Sequence, residues 1–151
     1  MKPLKEKMRE NNIIFALSFW LGISIIIDYI CTLYFSGSVE NLTNNEHSLL
    51  LIYAVKHEIL IPYGLFIMVL YSSCSYYSLR ALRNQKIFPA AFLSVALIAI
   101  SHTFGGLSWY IRSALYSKVV LALPVIAFGL MISCFVCLLI WKIPAPARSS
   151  S

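Results

Sequence analysis

Four apolar stretches constrain this 151-residue chain: Ile13 to Phe35, Leu49 to about Tyr77, Phe88 to Tyr110, and Val119 to Trp141. A helix crossing a hydrocarbon core of about 30 Å needs roughly 20 residues, and each stretch reaches that length. Lipid offers no partner for an unpaired backbone N–H or C=O, so all four are expected to be helices. The second is longer than one span requires, so its outer end is expected to project beyond the hydrocarbon or the helix to tilt. Only 12% of residues are charged and 60% are hydrophobic, against about 25% charged in a soluble domain. Short connections favour an up-down bundle with antiparallel neighbours. The expected fold is therefore all-α, an integral membrane bundle of four transmembrane helices over residues 1–143. A low-complexity tail, 144–151, carries Pro144, Pro146 and three terminal serines and is expected to be disordered.

The net charge of +6 does not point to nucleic acid. Its lysines and arginines stand at the ends of apolar stretches and form no stripe interleaved with aromatics. They read as topology signals. Lys2, Lys5, Lys7, Arg9, Arg80, Arg83, Lys86, Lys142 and Arg148 fall on one side, while the opposite loops hold only Arg112 and Lys118. The positive-inside rule then places both termini in the cytoplasm of a plasma-membrane protein, with the Ser36–Ser48 loop outside. Asp28 and the length of the first stretch argue against a cleaved signal peptide.

Ionisable side chains at membrane depth are costly unless paired, so each marks a candidate functional position. The chain carries Asp28, Lys56, His57, Glu58 and His102 along its apolar stretches, with Glu46 and His47 just before the second. At 1.5 Å per residue, Asp28 lies roughly 10 Å from the outer end of its segment and His102 roughly 12 Å from that of its own. These two are expected to floor an outward-opening pocket. His57, Glu58 and the Glu46–His47 pair are expected at its rim. Asp28, His57, Glu58 and His102 are thus the candidate catalytic residues. His57, Glu58 and His102 are of the right types to hold a divalent metal, although no metal-binding spacing such as H-E-x-x-H is present. A haem held by His57 and His102 requires both at one level. The competing reading is structural: Asp28 pairs with Lys56 or accepts from Tyr53 or Thr32, and the histidines make packing hydrogen bonds.

Other features have plain readings. Cys134-x-x-Cys137 sits in an apolar stretch, where buried thiols are inert. Asn41-Leu42-Thr43 is a glycosylation-type triplet in the outer loop. Pro124 is placed in the first turns of the fourth helix, where proline disrupts little, and Pro62 near a kink in the second.

Asp28 and Thr32, four apart, are followed by Gly37, Glu40 and Lys56. This order resembles a family of small, uncharacterised four-helix membrane proteins of archaea and bacteria, whose pattern is Asp-x3-Thr, Gly, Glu-x-Asn-Pro, then Lys. Here the loop departs from it, with Asn41 one place early and no proline. The resemblance covers about the first third of the chain. It implies the same bundle and draws attention to Asp28 and Lys56; it implies no activity.

Several functions fit these residues: a metal- or proton-binding membrane enzyme or ion-binding protein; a proton-coupled carrier, which with four helices is expected to act as a homodimer; a non-catalytic partner of another membrane protein, such as a subunit or immunity-type protein; and a bis-histidine haem electron carrier. The lipid bilayer is the partner common to all.

Overall fold

The computed structural model describes residues 4–46 and 48–142. His47 and the tail 144–151 lie outside the described residues. Among the described residues the regular elements are helices: α1 Leu4–Ser36, α2 Val39–Asn45, α3 Leu49–Lys56, α4 Leu60–Leu82, α5 Phe88–Gly105, α6 Ser108–Ile111 and α7 Ala114–Lys142. Among the described residues four helices are long and apolar enough to cross a membrane, over Met8–Ser36, Leu60–Leu82, Phe88–Gly105 and Ala114–Leu138. The expected all-α four-helix bundle is what forms.

The four helices alternate in direction along the chain, but sequence neighbours are not always the closest packed. α1 packs extensively on both α4 and α5, and α7 packs along α5. The row is α4–α1–α5–α7, with α4 and α5 touching more lightly. Small residues explain this order, because in a membrane they let backbones approach closely. A Cβ on Gly22 of α1 would collide with the Ser72 hydroxyl of α4. A Cβ on Gly106 would fall 2.5 Å from Cys31 Cβ and 2.6 Å from the Asp28 carbonyl oxygen of α1. α1 and α5 run parallel, and this close approach sets their relative height.

One end of the bundle holds the start of α1, the end of α7 and the α4–α5 connection. Its core is apolar: Ile14, Leu17, Leu79 and Ala91 are buried together with Phe88 and Phe92 against them. Leu21, Ile25 and Ala99 continue the core toward mid-bundle. Arg83 closes this end by donating to Asn11 Oδ1 at 2.6 Å and lying 4.0 Å from Glu10. The other end, the loop end, is roofed by α2, α3 and α6.

Three expectations about helix limits need correction. The second stretch is not one helix. α3 stops at Lys56 and α4 starts at Leu60, with Glu58 at φ 58° between them. Ile59 N–H donates to Ala54 and Glu58 N–H to Val55, the two bonds of a Schellman end. Pro62 supplies the reason. In a continuous helix its ring would clash with the Glu58 carbonyl four residues earlier and it could donate nothing to it, but in the first turn of α4 it is tolerated. The third span ends at Gly105, not Tyr110, where the two glycines press on α1. Pro124 lies well inside α7, because that helix begins at Ala114. Its missing N–H leaves the Val120 carbonyl without its helical donor. Ser101 of α5 donates to that carbonyl at 3.1 Å, which pins α7 to α5.

Candidate functional site

α1 continues beyond the end of α5 toward the loop end. It stops where Gly37 takes φ 74°, a left-handed conformation that glycine adopts without strain. Ser38 then caps α2, accepting from Asn41 N–H at 3.1 Å, and Asn41 Nδ2 donates to the Ser36 carbonyl at 2.6 Å. Asn41, read from the sequence as part of a glycosylation triplet, therefore closes the end of α1. Glu46 follows α2, and its Oε1 accepts from Ser48 N–H at 2.9 Å. These local bonds fold the α1–α3 loop back over the bundle.

Beneath that roof, Asp28 Oδ2 and His102 Nδ1 are 2.7 Å apart. The two were expected to meet, and they do. Their side chains are 18% and 29% exposed, so the pair is largely shielded. Parallel packing of α1 and α5 brings them level, and Gly105 makes room: a Cβ there would lie 3.0 Å from Asp28 Oδ1. His102 also meets the Tyr71 ring edge-on, with centroids 6.5 Å apart. Asp28 takes a histidine as its partner and not Lys56, which is exposed at the end of α3.

Two cavities flank the pair. The larger, about 600 Å³, lies between α1, α5 and α7. The smaller, about 410 Å³, lies between α1, α4 and α5 under α3. Asp28, Thr32, Glu46 and His102 line both. The Asp28–His102 contact is thus a wall common to the two spaces. Tyr29 and Tyr63 stack at 5.8 Å beside the smaller cavity, their hydroxyls 3.3 Å apart. Trp109 and Arg112 reach the larger one from the α6 end. Both volumes fall within or near the range of small-molecule pockets, about 300–1,000 Å³.

The expected rim forms only in part. Glu46 is there. His57 and Glu58 are exposed on the α3–α4 turn and line neither cavity. His57 instead packs on the Tyr53 ring of its own helix, with centroids 4.1 Å apart. Among the described residues no group of three His, Cys, Asp or Glu side chains is placed to hold a metal, so His57, Glu58 and His102 do not assemble as a ligand set. A haem between His57 and His102 has no shared cavity to occupy. The helix break at Glu58 accounts for both outcomes, since it turns these side chains away from the α1–α5 contact.

Arg112 stood in the sequence only as a topology signal, and neither it nor Trp109 nor Asn45 was expected at the site. The signal lay in Gly105-Gly106, which ends α5 early and folds the segment after it over the site. No family model, curated protein or solved structure matches this chain.

Proposed function

We propose that this small multipass membrane protein is built around a proton-binding site, the Asp28–His102 pair. The observation that carries this is the 2.7 Å contact between carboxylate and imidazole in the wall between two cavities. With Nδ1–H donated to Asp28, the ring keeps Nε2 as a proton acceptor, the arrangement that makes a paired histidine an effective base. Taking up a proton at Nε2 converts a carboxylate beside a neutral ring into a neutral ion pair. A ligand in either cavity is then exposed to a change of one unit of charge. The basic residues at the terminal end support an orientation with both termini in the cytoplasm and the cavities facing outward. The resemblance to the archaeal and bacterial family fits this reading, since its Asp28 and Thr32 positions both line the two cavities.

The test is ¹⁵N NMR of the histidine rings in detergent-solubilised protein, with His102 assigned by His102→Gln. The expected result is a His102 titration whose midpoint moves in Asp28→Asn. A His102 signal indifferent to that substitution would sink the proposal. Stability gives a second check. Asp28→Leu strands the ring without its partner and is expected to cost about 1–2 kcal/mol. Asp28→Asn keeps an acceptor and is expected to cost less.

A further inference from the structure

We infer that the larger cavity holds the headgroup of a zwitterionic phospholipid, its ammonium between Asp28 and Glu46 and its phosphodiester toward Arg112. This rests on the reading of Asp28 as a carboxylate paired with His102. Three sets of observations lead to it.

The first is unsatisfied acceptor capacity. His102 occupies only Oδ2 of Asp28. Oδ1 lies against Gly105 and has no protein donor among the described residues. Glu46 accepts one backbone N–H, and no cation among the described residues pairs with it. Both carboxylates line the same cavity, as does Trp109. Two carboxylates favour an ammonium and repel an anion.

The second is the cation at the same cavity. Arg112 gives only its Nε–H to a protein acceptor, the Trp109 carbonyl at 3.3 Å. Its terminal N–H groups are without a partner among the described residues, and paired guanidinium N–H groups suit a phosphodiester. Arg112 follows the short α6, just beyond the Gly105 turn that touches Asp28. Negative and positive groups thus stand within one cavity, as a zwitterion requires.

The third is the way in. α1 and α7 both pack on α5 and not extensively on each other, and the four-residue α6 bridges them at the loop end. The α7 part of the lining is apolar, Val120, Leu121 and Pro124, and Leu121 is 52% exposed within a helix apolar enough to cross a membrane. An exposed apolar residue on a spanning helix beside the polar groups suits an amphiphile, whose acyl chain can stay in lipid while its headgroup enters.

The experiment is native mass spectrometry of the full-length chain in maltoside micelles, titrated with phosphatidylethanolamine or phosphatidylglycerol. The expected result is retention of the ethanolamine lipid about tenfold better than the glycerol lipid. Asp28→Asn and Arg112→Gln should each remove most of that preference. Arg112 is exposed outside the helices, so its variant is expected to unfold like the wild type, which guards against a folding artefact. Equal retention of the two lipids, or a preference that survives both substitutions, would overturn the assignment. Soluble glycerophosphoethanolamine is the competitor that identifies the source. Weak displacement supports a lipid, and displacement as effective as by the lipid itself overturns lateral entry. A failed lipid preference with an intact Asp28-dependent His102 titration removes only the ligand, while failure of both removes the proton site as well.

Discussion

Along α1, Ile14 to Ile25 and Asp28 to Ser36 belong to two different environments. In the first stretch α1 is clasped between α4 and α5, and Ile14, Leu17, Leu21 and Ile25 are buried, with Ile25 already at the edge of the smaller cavity. In the second, the same helix lines two cavities and carries a carboxylate. The difference lies in the neighbours. At the terminal end long straight helices meet through alanines and serines, and interiors of that kind pack densely. At the loop end α4 begins and α5 stops beside the cavities, and short helices, proline and glycine must close the space. A rigid half holds the register, and a looser half has room for a ligand.

The largest expected effect tests the joint between the halves. Gly106→Val would place a branched side chain where even a Cβ meets the Asp28 backbone and Cys31 Cβ. Backbone cannot yield as a flexible side chain can, so overpacking of about 3 kcal/mol or more is expected. Thermal unfolding in detergent would register it, together with loss of the His102–Asp28 coupling by NMR. A stable protein with that coupling intact would mean the two helices are not locked at this point.

Next in size is a direct contrast between the halves. Leu17 is 7% exposed in the terminal core, whereas Leu121 is 52% exposed on the larger cavity. Leu17→Ala is expected to cost about 2–3 kcal/mol, the loss typical of an interior leucine. Leu121→Ala should stay within about 0.5 kcal/mol, as for a site away from packed features. Equal costs would erase the distinction between a dense and an open half.

The bundle was legible in the sequence because span length and charge asymmetry are properties of segments, and lipid permits little else. The Asp28–His102 meeting was also legible, since counting residues from the outer ends put both at similar depth. What failed were the helix limits at Gly105, Glu58 and Ala114. The stretches were drawn on past Gly105, across Glu58, and from Val119 although α7 begins at Ala114, because hydropathy does not record where a backbone turns. Placing Lys56, His57 and Glu58 on one continuous helix made a rim and a metal set plausible. The break turned them outward, and Arg112 and Trp109 came to the cavity in their place.

A smaller effect concerns the attachment of α7. Ser101→Ala removes the donor that satisfies the Val120 carbonyl, which Pro124 deprives of its helical partner. A cost of about 1 kcal/mol is expected. Ser133 is the control. Its hydroxyl donates to the Gly129 carbonyl within the helix, where the backbone already supplies a donor, so Ser133→Ala should be nearly silent. In a Pro124→Ala background the helix regains its own N–H, and Ser101→Ala should lose most of its cost. A Ser101 effect of the same size in both backgrounds would show that the hydroxyl acts by some other route.

The smallest effect is a gain. Glu58 holds φ 58° at the Schellman end of α3, a position that usually belongs to glycine. For a residue with a Cβ this conformation costs about 1–2 kcal/mol. Glycine removes that strain but gives the unfolded chain more freedom, which takes back part of the benefit. Glu58→Gly is therefore expected to stabilise by about 0.5 kcal/mol. The Glu58 side chain is exposed and lines neither cavity, so the Asp28–His102 coupling should be unchanged. Chemical unfolding in mixed micelles and the His102 titration would be measured on the same sample. A destabilised variant would mean the carboxylate makes a bond that outweighs its strain. A variant of wild-type stability or better with an altered His102 titration would return Glu58 to the site and join the α3–α4 turn to the cavities beneath it.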